Sequence, residues 1–191
     1  MGLFGSKEKP EDMRYKAMSM MEKNQPKAAV SLFNKILKQN SSDEDALYNK
    51  GLALNQMKKY SDAITCFDIV LEIKPEDPQA LNNKGIAMAE SGNIQAASEC
   101  YDAAIVADPK YAASFFNKGV LLDKLEEREL ALTVLEKAIS IDPRKPNAMV
   151  YKGIVLGKLK RHEEALNCFQ NICKKYPRNQ DAFFQKGVQL A

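Results

Sequence analysis

Apolar side chains return along this chain in two alternating stripes, each with helical spacing. In the first, position 4 of a repeating unit reads Met13, Leu47, Leu81, Phe115, Met149 and Phe183, and position 11 reads Met20, Leu54, Met88, Leu122, Leu156 and Leu190. With the small residue at position 8 between them, this is the i, i+4, i+7 stripe of an amphipathic helix, called helix A here. The second stripe carries alanine at position 20 (Ala29, Ala63, Ala97, Ala131, Ala165) and Phe33, Phe67, Tyr101, Leu135 and Phe169 at position 24. Pairs such as Val70 with Leu71 and Ala138 with Ile139 complete it as helix B. Glycines 51, 85, 119, 153 and 187 fall 34 residues apart, each behind a lysine. A fixed period of that size means one supersecondary unit copied along the chain, so the pattern predicts an all-α stack of helix–turn–helix repeats.

Complete units run 10–43, 44–77, 78–111, 112–145 and 146–179. Residues 1–9 read as a short flexible tail, and 180–191 as a further helix A that caps the last unit, or whose outer face stacks on a second chain. Proline at position 32 (Pro75, Pro109, Pro143, Pro177) ends helix B, because it removes an amide donor and disfavours helical geometry in the residue before it. Asp77 followed by Pro78 supplies an N-cap with proline at the first helical position. Glycine inside a helix costs roughly 1 kcal/mol against alanine, so its recurrence predicts a close approach of helix B, with the alanine at position 20 as the matching small surface.

Charge and chemistry narrow the function classes. A net charge of +3, from 28 basic and 25 acidic residues, gives no clustered basic face for nucleic acid. No apolar run approaches the roughly 20 residues of a membrane span, and the start of the chain lacks a secretory signal, so a soluble cytoplasmic protein without stable membrane insertion is expected. The start MGLFGS also fits the loose myristoylation pattern, with Gly2 as acceptor and Ser6 as the hydroxyl. A lone acyl chain gives only marginal binding. Cys66, Cys100 and Cys168 share one repeat position, and Cys168 with Cys173 lies on different helix faces, so reduced, packed thiols are expected rather than disulfides. One histidine, His162, and no close Cys or His pair speak against a metal, and no nucleophile–base constellation converges. Neither cofactor nor enzymatic activity is expected.

The pattern of apolar 4, glycine 8, alanine 20, aromatic 24 and proline 32 resembles the tetratricopeptide-repeat family over residues 10–191, without insertion or deletion. The first unit departs from it, with Ala17 for glycine and Ser41 for proline. Lysine at position 7 in all six copies departs as well, read either as a rail for an acidic partner or as stems lying over apolar surface. The resemblance implies a right-handed superhelical α-solenoid whose helices A line a concave groove with positions 2, 5, 6, 9, 12 and 13. It places there Tyr48, Asn82, Phe116 and Phe184 at position 5, Asn49, Asn83, Asn117 and Tyr151 at position 6, and Leu52, Ile86, Val120 and Ile154 at position 9. The three asparagines are similar to the peptide-holding asparagine ladder of the O-linked N-acetylglucosamine transferases. A carboxamide offers both a donor and an acceptor to a peptide backbone. The family's clamp for the acidic C-terminal tails of the Hsp70 and Hsp90 chaperones is absent, since position 9 is apolar and positions 2 and 6 of the units that follow bring no lysine or arginine. Two classes of function remain: a non-catalytic scaffold that binds an extended or helical peptide in its groove, and an assembly subunit that oligomerises through its terminal or concave surfaces.

Overall fold

The computed structural model describes residues 8–178 and Gln185. Most of the tail and the expected capping segment, with Phe184, lie outside the described residues. Ten helices and no strand occur among those described: α1 (Pro10–Glu22), α2 (Pro26–Leu37), α3 (Glu44–Gln56), α4 (Tyr60–Ile73), α5 (Pro78–Glu90), α6 (Ile94–Ala107), α7 (Ala112–Lys124), α8 (Arg128–Ile141), α9 (Pro146–Lys158) and α10 (His162–Lys175). Odd-numbered helices are the predicted helices A and even-numbered ones the predicted helices B. The chain divides into two compact units, Met1–Ala97 and Ser98–Ala191.

Local chemistry sets the helix ends. Asp43 and Asp77 cap α3 and α5, each accepting from the backbone N–H three residues on, at 2.9 and 2.8 Å. Arg14 on α1 adds a tie, since its Nη2 donates to both carboxylate oxygens of Asp43 at 2.9 and 2.8 Å. Where proline follows helix B, the residue before it has left the helical region, as in Lys74 (φ −130°, ψ 87°) and Asp142 (φ −129°, ψ 84°).

Every turn from helix A to helix B passes through one left-handed residue at position 15: Asn24, Lys58, Gly92, Glu126 and Lys160, with φ between 56° and 91°. In each, the following N–H reaches back to the carbonyl five residues earlier, as from Lys59 to Leu54 at 2.9 Å and from Arg161 to Leu156 at 3.0 Å. This is the Schellman closure, in which the left-handed site suits glycine. Four of the five sites carry a side chain with a Cβ, which strains there. Lys58→Gly, Glu126→Gly and Lys160→Gly are therefore expected to raise stability by about 0.5–1 kcal/mol each, after allowing for the extra freedom of glycine in the unfolded chain. Unfolding in urea followed by circular dichroism checks this. Midpoints that stay put or fall would remove the strain argument.

The core of each unit lies between helices A and B. All five position-20 alanines and the rings of Phe33, Phe67 and Phe169 are fully buried. The first unit holds clusters around Met13, Ala29 and Phe33, around Leu54, Ala63 and Phe67, and around Leu47, Val70 and Ala80. In the second unit one cluster runs from Ala131 and Leu135 through Val155 to Phe169 and Ile172. The close approach at position 8 differs from the sequence expectation in its partner. A Cβ on Gly51 would stand 2.7 Å from the Phe67 ring, one on Gly119 2.7 Å from Leu135 Cγ, and one on Gly153 2.5 Å from the Phe169 ring. It is the large residue at position 24, one turn past the alanine, that needs the gap.

Three of the lysines at position 7 find partners on a neighbouring helix. Lys84 pairs with Asp68 at 2.7 Å, Lys152 with Glu136 at 2.7 Å, and Lys118 with Asp102. In each the carboxylate sits on the preceding helix B, 16 residues earlier. These three lysines tie neighbouring helices together.

Candidate functional site

In the first unit α3 and α5 bring Tyr48, Asn49, Leu52, Asn83 and Ile86 to half-buried positions. The Tyr48 ring meets Phe67 edge-on, with centroids 5.9 Å apart, so its place is set by the core. Asn49 Nδ2 donates to the Asp45 carbonyl at 2.8 Å, and Asn83 Nδ2 to the Gln79 carbonyl at 2.8 Å. Asn83 Nδ2 also donates to the Tyr48 hydroxyl at 2.9 Å. A backbone carbonyl can only accept, so the amide orientation is fixed at both residues and Oδ1 is the atom left to receive a donor. Leu52 packs against the cluster around Leu54 and Phe67.

Asn82, placed on the groove by the resemblance, is only 3% exposed. Tyr48 and Phe116, at the same repeat position, stay half-buried, so the repeat position alone does not set the burial. Asn82 itself offers almost no surface to a partner.

The second unit holds Phe116, Asn117, Val120, Tyr151 and Ile154, all half-buried. Phe116 and Tyr151 meet edge-on, 6.0 Å apart at 83°, and both rest on the core cluster with Ile154. The residue that organises this face is Asp123, at position 12, which the sequence reading left unremarked. Its side chain is 1% exposed and faces Lys158, Arg128 and Tyr151. The Tyr151 hydroxyl donates to Asp123 Oδ2 at 2.9 Å, Lys158 Nζ pairs with the same oxygen, and Arg128 Nε stands 3.5 Å from Oδ1. Burial first, and then the hydrogen bond to Asp123, push the Tyr151 phenol up to about 12. The signal available in the sequence was a lone carboxylate on the inner stripe of a helix A, where the other units have Met21, Asn55, Ala89 and Gly157.

All four cysteines are free thiols, and burial pushes the Cys66 and Cys168 thiols up, away from the reactive thiolate. Among the described residues no cluster of three or more His, Cys, Asp or Glu could hold a metal ion, and no helix is long and apolar enough to cross a membrane. His162 is exposed at the start of α10.

The family model for the N-terminal TPR repeats region of Psidin matches residues 16–118, more than half of the chain, and two tetratricopeptide-repeat models match residues 112–145 and 147–179. The chain belongs to the tetratricopeptide-repeat family. Its fold is accordingly the all-α solenoid of helix–turn–helix repeats that the periodicity predicts. Among solved structures this tetratricopeptide-repeat chain is similar to TTC0263, a thermophilic TPR protein of Thermus thermophilus, with a TM-score of 0.81 at 18% identity over 95% of this chain and 99% of that one. It is similar too to MamA from Desulfovibrio magneticus RS-1 (TM-score 0.73, 23% identity, 92% and 98% covered). A third is YrrB, a TPR protein with an unusual peptide-binding site (TM-score 0.66, 19% identity, 95% and 94% covered). At these identities the likeness is one of fold. No curated protein matches the chain.

Proposed function

We propose that this tetratricopeptide-repeat chain is a non-catalytic scaffold that holds an extended segment of another protein against the faces of its helices A. The observation that carries this reading is the committed amide of Asn49 and of Asn83, which leaves a carbonyl oxygen on each with no hydrogen bond among the described residues. Such an acceptor suits a free backbone N–H. An extended segment offers those along its length, whereas a helical segment has spent all but its first few on itself. Asn117 occupies the same repeat position in the second unit, and the half-buried Leu52, Ile86, Val120 and Ile154 supply apolar contact beside the asparagines. The unusual peptide-binding site of the similar protein YrrB supports the class of partner. The four reduced, shielded thiols fit work in the cytoplasm.

Photo-crosslinking from Ile86 in cells, read by mass spectrometry, tests the reading. Foreign extended peptides are expected, and alanine at Asn49, Asn83 and Asn117 should weaken capture at least tenfold while the melting temperature holds. A crosslink only to a second copy of the chain would replace the scaffold with an assembly subunit. Loss of folding in the triple variant would make the asparagines structural.

A further inference from the structure

The second unit contains an apolar cavity of about 190 Å³ walled by Ala112, Ala113, Phe116, Ala138 and Ala148, with Asp142, Lys145 and Asn147 at its lining as well. Its origin is legible by comparing repeats. The residues at the same repeat positions in the first unit are Glu44, Asp45, Tyr48, Val70 and Ala80, with Lys74, Asp77 and Gln79. There Val70 packs into one cluster with Leu47 and Ala80, Tyr48 lies against it, and Glu44 closes on Lys74 at 2.6 Å. In the second unit Ala138 stands where Val70 does, Ala112 where Glu44 does and Asp142 where Lys74 does, so the larger side chain and that ion pair have no counterpart there.

We infer that this cavity is an anchor pocket for one apolar side chain, of leucine, isoleucine, methionine or phenylalanine size, on a segment of another polypeptide. Volume decides the class of occupant. Pockets for whole small molecules run to roughly 300–1,000 Å³, whereas an apolar cavity of about 150 Å³ accepts benzene. The space is that of a single side chain. Chemistry agrees with volume: the walls are four alanine methyls and the Phe116 ring, and of the three polar residues at the lining Lys145 and Asp142 face each other at 3.8 Å, which leaves the Asn147 carboxamide to meet the backbone flanking an anchor. Phe116 is itself one of the residues assigned to the peptide-holding face, so the pocket gives that face a preference in sequence that backbone contacts alone lack. The inference rests on the peptide-holding reading proposed above.

The test grafts the first unit's residues onto the second. Ala112→Glu with Asp142→Lys restores the ion pair, and adding Ala138→Val restores the filler; the double variant, which leaves the core alanine alone, guards against misfolding in the triple. Phage-displayed seven-residue peptides, randomised at every position, are selected against the intact chain and against each graft. The intact chain is expected to enrich one position for large apolar residues, and the grafts to lose that enrichment at least tenfold with circular dichroism unchanged. A selected peptide titrated into protein carrying ¹³C-methyl alanine should shift the Ala112, Ala113, Ala138 and Ala148 methyls. Equal enrichment by intact and grafted protein, or unmoved methyls, overturns the pocket while leaving peptide holding in place. Failure of every protein to select a peptide overturns both.

Discussion

Replacing Gly153 by alanine lowers stability by about 1–3 kcal/mol and replacing Phe169 by alanine lowers it by about 3–5 kcal/mol, yet the two costs do not add. The first follows from space: a Cβ at Gly153 falls 2.5 Å from the Phe169 ring, nearer than any real contact, so α9 and α10 must part or the ring must leave its rotamer. The second is the loss of a fully buried ring from the centre of the second unit's core. Once the ring is gone, the three atoms nearest the added methyl go with it, and the methyl brings the roughly 1 kcal/mol by which alanine exceeds glycine in a helix. In the Phe169→Ala background, Gly153→Ala should therefore reverse sign and stabilise. Urea midpoints of the four proteins in this cycle measure the coupling. Additive costs would mean that the glycine serves something other than the ring.

That cycle also marks how far the sequence could be read. The period, the two helices per unit and the stop at position 32 are local signals, written in apolar spacing and in the backbone restrictions of proline, and each holds in the helices observed. Size alone points the glycine to the alanine at position 20, since both are small, whereas the structure pairs a small residue with a large one. Jigsaw packing prefers that arrangement, and composition alone does not reveal it. The lysines at position 7 were ambiguous for a similar reason. A residue in one helix A pairs with a carboxylate on the preceding helix B, and only the recurring interval of 16 between Asp68 and Lys84, Asp102 and Lys118, and Glu136 and Lys152 carried that information. Asn82 is more deeply buried than Tyr48 and Phe116 at the same repeat position; a position transferred by resemblance ignores which neighbours crowd a given copy. The left-handed sites at position 15 carry little sequence signal, since only Gly92 announces one. Lys58, Glu126 and Lys160 adopt it under the constraint of the closing hydrogen bonds.

Asp123→Ala should cost about 2 kcal/mol, below the roughly 3–5 of a fully buried ion pair, because Lys158 and Arg128 can turn part of their charge to water once the carboxylate is gone. The consequence reaches the candidate site through Tyr151, whose hydroxyl loses its acceptor and whose ring loses the hold that keeps it edge-on to Phe116. Alkaline pH reports the same link. The folded protein binds the Tyr151 proton more tightly than the unfolded chain, whose phenols titrate near 10, so the contribution to stability is intact below about pH 10 and is lost as pH rises to about 12. Absorbance at 295 nm, taken as the intact protein minus Tyr151→Phe, should show a phenolate step near 12. With Asp123→Ala the step should move back only part of the way towards 10, since burial is the larger cause and the carboxylate the smaller. A step unmoved by Asp123→Ala, together with an unchanged urea midpoint, would show that the carboxylate neither holds Tyr151 nor steadies the face on which the proposed partner lies.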